Sequence, residues 1–95
     1  MTAMNDIYDR AIAHYGQKKQ LLQACEECAE LIQAISKATR YTGESYVEGV
    51  CEEIADVLIM CEQVRRIFDI STVDVEKERE RKLQRLERYI NTNVS

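Results

Sequence analysis

The sequence predicts an all-α chain of four helices, a helical hairpin within a four-helix-bundle-like protomer. Three observations carry this. Proline is absent and glycine occurs three times in 95 residues, so little interrupts long helices. In two long stretches apolar residues recur at alternating steps of three and four, the period of a helical seam. Hydrophobic content of 45% beside 32% charged residues suits a folded helical domain and not a disordered segment. The length predicts one domain, residues 1–95. A domain this small buries a modest share of its surface, so self-association is a ready source of further stability.

The first helix is expected from Asn5 to about Tyr15, with Ile7, Tyr8, Ala11 and Ile12 on one side and Gly16 ending it. The second runs from about Lys18 to Ala38, with Leu21, Cys25, Cys28, Ile32 and Ile35 as its apolar seam. Tyr41-Thr42-Gly43-Glu44 reads as a loop, and Ser45 with Glu48 as a capping box for the third helix. The third helix carries Val47, Val50, Ile54, Val57, Cys61, Val64 and Phe68 and ends near Phe68-Asp69. Ser71 or Thr72 caps a fourth helix reaching about Ile90, with Asp74 and Glu76 early in it, where the helix dipole favours acids. Leu83, Leu86 and Ile90 mark its packed side. The two long helices should form an antiparallel hairpin across the short loop.

A net charge of -4 argues against sequence-independent binding to nucleic acid or to anionic membranes. No apolar run approaches membrane-spanning length, and the N-terminus lacks a basic-then-apolar signal pattern, so a cytoplasmic location is expected. Cys25 and Cys28 form a C-x-x-C inside a helix, but Cys51 and Cys61 form no second close pair and His14 is elsewhere. The pattern therefore favours small buried thiols over a zinc site.

The chemistry gathers in acidic residues. Glu27 and Glu30 are three apart, as are Glu53 and Asp56, a spacing that puts each pair on neighbouring turns of one helix face. A hairpin would bring the four carboxylates together, and the counter-charge that suits them is a hard divalent cation. Between Lys19 and Lys37 the second helix carries no positive residue, and between Glu48 and Val64 the third carries none, so the acids lack the i,i+4 partners of an ordinary solvated face. Gln20 and Gln23 share the ridge of Glu27 and Glu30. Gly49 and Met60 flank Glu53 and Asp56. On the fourth helix Arg79 and Lys82 fall on or beside the apolar side. Their stems either snorkel along the core edge or lean toward the acidic group and contact an anion held there.

Glu26-Glu27-x-x-Glu30, a gap of 22 residues, then Glu53-x-x-Asp56 resembles the signature of the MazG-like all-α nucleotide pyrophosphohydrolases. Tyr15-Gly16 and Gln20-Leu21 resemble the family's lead-in, Ala55 to Ile59 its second-motif helix, and Lys82-Leu83-x-Arg85 its basic C-terminal helix. The resemblance spans about Ile7 to Arg88. It implies hydrolysis of a nucleoside triphosphate, with deoxyribose or ribose, between the α and β phosphates, giving a monophosphate and pyrophosphate. Glu27, Glu30, Glu53 and Asp56 would be the Mg²⁺ ligands, with Mn²⁺ a possible substitute. Glu26 would orient or deprotonate the attacking water, or support the ligands. Lys82 and Arg85 would contact phosphates, with Arg79 added from its helix position, and Gln20 and Gln23 would meet the base or sugar. The family likeness also implies a homodimer or homotetramer (a dimer of dimers) with sites completed between chains. Two other functions fit the same residues: a non-enzymatic helical oligomerisation module, and a sensor that binds nucleotide without turnover.

Overall fold

In a computed structural model the described residues are 3–92, with side chains described from residue 7. They form α1 (Ala3–Tyr15), α2 (Gln17–Arg40), α3 (Glu44–Ile67) and α4 (Thr72–Thr92), with no strand among them. The all-α class and the four helices are those expected. α1 begins at Ala3, two residues before the expected Asn5, and its start before Ile7 is described in backbone only.

Local chemistry explains each junction. Gly16 adopts φ 93°, a backbone that side chains rarely take, and its N–H donates to Ile12 O at 2.8 Å while its own carbonyl accepts from Gln20 N. One glycine thus closes α1 and opens α2. Gly43, at φ 136°, sits at the N-cap of α3, and no side chain caps that end. The Ser45–Glu48 capping box is not formed, because α3 begins at Glu44 and a capping serine must itself be outside the helix. At the far end Asp69 takes a left-handed φ of 54°, and Ile70 N donates to Arg65 O at 2.9 Å, the closing bond of a Schellman turn. Ser71 caps α4 as expected, its Oγ accepting from Asp74 N at 3.0 Å.

The two long helices are antiparallel. Gln20 near the start of α2 donates from Nε2 to Gln63 Oε1 near the end of α3 at 2.7 Å, and both residues are buried. α1 leans on both helices. Arg66 donates to Asp9 Oδ1 at 2.9 Å with its guanidinium 5.0 Å from the Tyr8 ring centroid. Glu62 accepts from Arg65 and Arg66, each at 2.7 Å, and Arg65 also donates to Ile70 O at 2.8 Å. One carboxylate therefore organises both the α1 contact and the turn into α4.

The residues that face inward match the expected seam in part: Leu21, Val50, Val57 and Val64 are shielded as expected, and the rest differ. In α2 the less exposed row is Gln20, Ala24, Glu27, Leu31, Ala34 and Ala38, itself spaced by fours and threes. Cys25, Cys28, Ile32 and Ile35 are exposed. In α3 the row Tyr46, Val50, Glu53, Val57, Met60, Val64 and Ile67 is shielded, whereas Val47, Ile54, Cys61 and Phe68 are exposed. On α2 the inner row is rich in small residues, Ala24, Ala34 and Ala38, and it faces a mainly apolar row on α3. Ile32, Ile35, Ile54 and Phe68 lie on an outer face. The four cysteines follow them: all are free and exposed, against the expectation of buried thiols.

Met60 is the sole buried hydrophobic residue among those described. Every described residue of α4 is exposed, including Leu83, Leu86 and Ile90, so these three have no covering partner among the described residues. Only the start of α4 meets the hairpin: Ile70 and Val75 line a cavity with Cys28, Val57, Met60 and Cys61. The radius of gyration is 16.8 Å, where a self-contained globule of this length has ~12 Å. The accessible surface is 7776 Å², about 2,000 Å² above what a monomeric globular protein of this mass presents.

Candidate metal centre

The acidic site is built on the inner row of the hairpin and the flank beside it. α2 supplies Glu27 and Glu30 and α3 supplies Glu53 and Asp56. Oxygens of Glu27, Glu30 and Glu53 lie within 4.8 Å of one another. Asp56 belongs to the same group, since its charge acts on both Glu27 and Glu53. The structure thus brings Glu27, Glu30 and Glu53 together, with Asp56 near enough for its charge to act on two of them.

The environment of Glu27 and Glu53 opposes ionisation. Burial raises the Glu27 pKa from its ordinary value; Gln23, donating from Nε2 to Glu27 Oε1 at 2.8 Å, partly offsets this, and Glu30 and Asp56 push it up further. Burial likewise raises Glu53, followed by the charges of Glu30, Asp56 and Glu27. One oxygen of each, Glu27 Oε2 and Glu53 Oε2, is shielded from solvent with no hydrogen-bond partner. A buried acceptor without a donor is costly, and here two of them share one acidic group. A divalent cation fits on each count. Carboxylate oxygens are the donors that Mg²⁺ and Mn²⁺ take. The orphaned oxygens would gain a partner and the mutual repulsion would fall.

The remaining predicted residues are placed as follows. Gln23 is at the site, holding Glu27. Gln20 has its amide engaged by buried Gln63. Glu26 is exposed, one residue and about 100° around the helix from Glu27. Arg79 pairs with Glu76 at 3.6 Å, both well exposed; Lys82 is exposed; Arg85 stacks 5.9 Å from the Tyr89 ring centroid. Among the described residues no ion pair or hydrogen bond joins these three cations to the carboxylates.

The cation that does share a cavity with the carboxylates is Lys37. A groove of about 560 Å³ runs along the hairpin from Glu30 and Glu53 past Gly49 to Lys37, Ser45 and Tyr46. Sequence reasoning noted Gly49 but not Lys37 or Tyr46. The signal was present: Lys37 is seven residues after Glu30 and Tyr46 seven before Glu53, two turns along each ridge. A Cβ at Gly49 would meet nothing within 4 Å, so the groove is open there. Tyr41 stacks on Tyr46 with centroids 5.4 Å apart and steadies that end.

No known protein family, curated protein or solved structure matches the chain.

Proposed function

We propose that the chain is a MazG-like, Mg²⁺-dependent nucleoside triphosphate pyrophosphohydrolase, cleaving a (deoxy)nucleoside triphosphate between the α and β phosphates to the monophosphate and pyrophosphate. The observation that supports the reading is the convergence of Glu27, Glu30 and Glu53, with the charge of Asp56 acting on the group and two shielded, unpartnered oxygens within it. The two-part acidic signature supplies the choice of reaction.

In this reading Glu27, Glu30, Glu53 and Asp56 hold the metal. Bound Mg²⁺ would neutralise phosphate charge and lower the pKa of a coordinated water. Gln23 keeps Glu27 oriented. Glu26 is the candidate to orient the attacking water or take its proton, reaching from the outer edge of the ridge. Gln20 and Gln23 lie toward the base and sugar, Gln20 being also tied to Gln63. Arg79, Lys82 and Arg85 are assigned to phosphate. Since α4 leaves its own hairpin, those cations act on the site of a second copy.

That assignment makes a homodimer or homotetramer part of the reading. The apolar outer face of the hairpin and the stripe on α4 are complementary unpartnered surfaces. Covering about 2,000 Å² on each of two chains falls in the size class of obligate interfaces. Sedimentation should find no monomer at micromolar concentration; a stable monomer would remove the two-chain site.

The exposed apolar faces also favour the second reading, a helical oligomerisation module whose acids only confer solubility. A panel of ribo- and deoxyribonucleoside triphosphates with pyrophosphate detection decides. The pyrophosphohydrolase releases pyrophosphate, not orthophosphate, from at least one of them with Mg²⁺ or Mn²⁺. Binding without release would make the chain a sensor, and neither binding nor release would leave the module.

A further inference from the structure

We infer that Lys37 is a phosphate-binding residue of the acidic site, seated in the same chain at the far end of the groove that starts at Glu30 and Glu53. The inference rests on the nucleotide reading above and adds to it a contact that requires no second copy.

The hairpin geometry carries it. α2 runs toward the loop and α3 away from it, so Glu30 to Lys37 and Glu53 to Tyr46 are parallel tracks leading the same way. Seven residues at 1.5 Å per residue make each track about 10 Å long, the scale of a polyphosphate with its metal. The cavity between them, about 560 Å³, is in the range of small-ligand sites. It is acidic at one end, where Glu30 and Glu53 line it, and open at Gly49.

Lys37 is the one basic side chain on its wall. Among the described residues it has no ion pair, whereas the other cation clusters are matched: Arg65 and Arg66 with Glu62, Arg81 with Glu78. An ammonium on a long flexible stem suits a phosphate as a point charge. Ser45 offers a hydroxyl on the same wall. A metal at the carboxylates and an ammonium along the groove would hold the two ends of one anion, which an uncompensated acidic groove would repel. Lys37 also lies in the last turn of α2, where any cation favours the helix end, so melting temperature alone cannot separate the roles.

The test is calorimetric titration of the full chain, unaltered and as Lys37→Met and Lys37→Arg, first with Mg²⁺ and then with inorganic pyrophosphate in saturating Mg²⁺. Expected are equal Mg²⁺ affinities in all three, pyrophosphate binding weakened about tenfold or more in Lys37→Met, and most of it retained in Lys37→Arg. Pyrophosphate binding by Lys37→Met as tight as that of the unaltered chain overturns the inference and leaves the nucleotide reading standing. Weakened nucleoside monophosphate binding with unchanged pyrophosphate binding also overturns it, placing Lys37 at the nucleoside. Failure of the unaltered chain to take up Mg²⁺ or pyrophosphate overturns both.

Discussion

Replacing Gln20 by Met tests whether that glutamine belongs first to the fold. Its Nε2 donates to Gln63 Oε1 at 2.7 Å with the two residues 6% and 4% exposed. The substitution keeps the volume and removes the donor, leaving the Gln63 oxygen buried without it. Stranding one buried amide partner costs ~1–3 kcal/mol. For a domain of this size each kcal/mol moves Tm by ~4–8 °C, so a fall of at least ~4 °C is expected. Gln63→Met should cost a similar amount. The double variant removes both polar groups and should recover much of the loss, because an apolar pair of similar shape is nearly neutral. Thermal and urea melts at one fixed protein concentration measure all four corners of the cycle, the fixed concentration being needed if the chain self-associates. Additivity of the two single changes within ~0.5 kcal/mol would refute the buried-pair reasoning. A Mg²⁺-induced Tm shift that survives in Gln20→Met would place the metal group apart from this bond.

Four further outcomes follow from the site and the frame. Glu53→Gln or Asp56→Asn should abolish pyrophosphate release while circular dichroism and oligomer size are unchanged; unchanged turnover in both would end the metal assignment. The folded pKa of Glu53 is raised, so this group favours folding below its unfolded pKa and that contribution is lost as pH rises through the folded value; Glu53→Gln should therefore melt higher than the parent at pH 7 without metal and lose the Mg²⁺ shift. Glu62 behaves oppositely, its pKa pulled from 4.5 down to about 2 by Arg65, with Arg66 adding to the effect; its contribution is present above 4.5 and is lost as pH falls toward 2, and Glu62→Gln should flatten the melting profile across that window. Gly49→Ala should leave the fold intact or raise its stability by up to ~1 kcal/mol, while Gly16→Ala, at φ 93°, should cost ~1–2 kcal/mol; melts of the two separate open space from backbone strain.

Much of the site was legible because it is local. The i,i+3 spacing of Glu27 with Glu30 and of Glu53 with Asp56 determines a shared helix face whatever the tertiary fold, and the short loop between the helices makes them meet. Gly16 and Ser71 were readable for the same reason, since a left-handed φ and a side-chain cap are properties of a few consecutive residues. Ser45 was misassigned because Gly43, two residues earlier, had already turned the chain. Lys37 was missed because its relevance depends on which ridge of α2 lines the groove.

By itself, then, the chain specified four helices, their approximate ends and the pairing of the acids, because helical periodicity and capping act over a few residues. Only the tertiary structure decided which row of each helix faces inward. Both rows are spaced by threes and fours, so periodicity alone cannot choose between them. The hairpin closed on Ala24, Ala34 and Ala38 with the carboxylate ridge at its side, since small residues let the helices approach. Ile32, Ile35, Ile54 and Phe68 were left outside with the four cysteines. The same choice left α4 without a seat in its own chain, sharpened four acids into a group with two orphaned oxygens, and put Lys37 at the end of their groove.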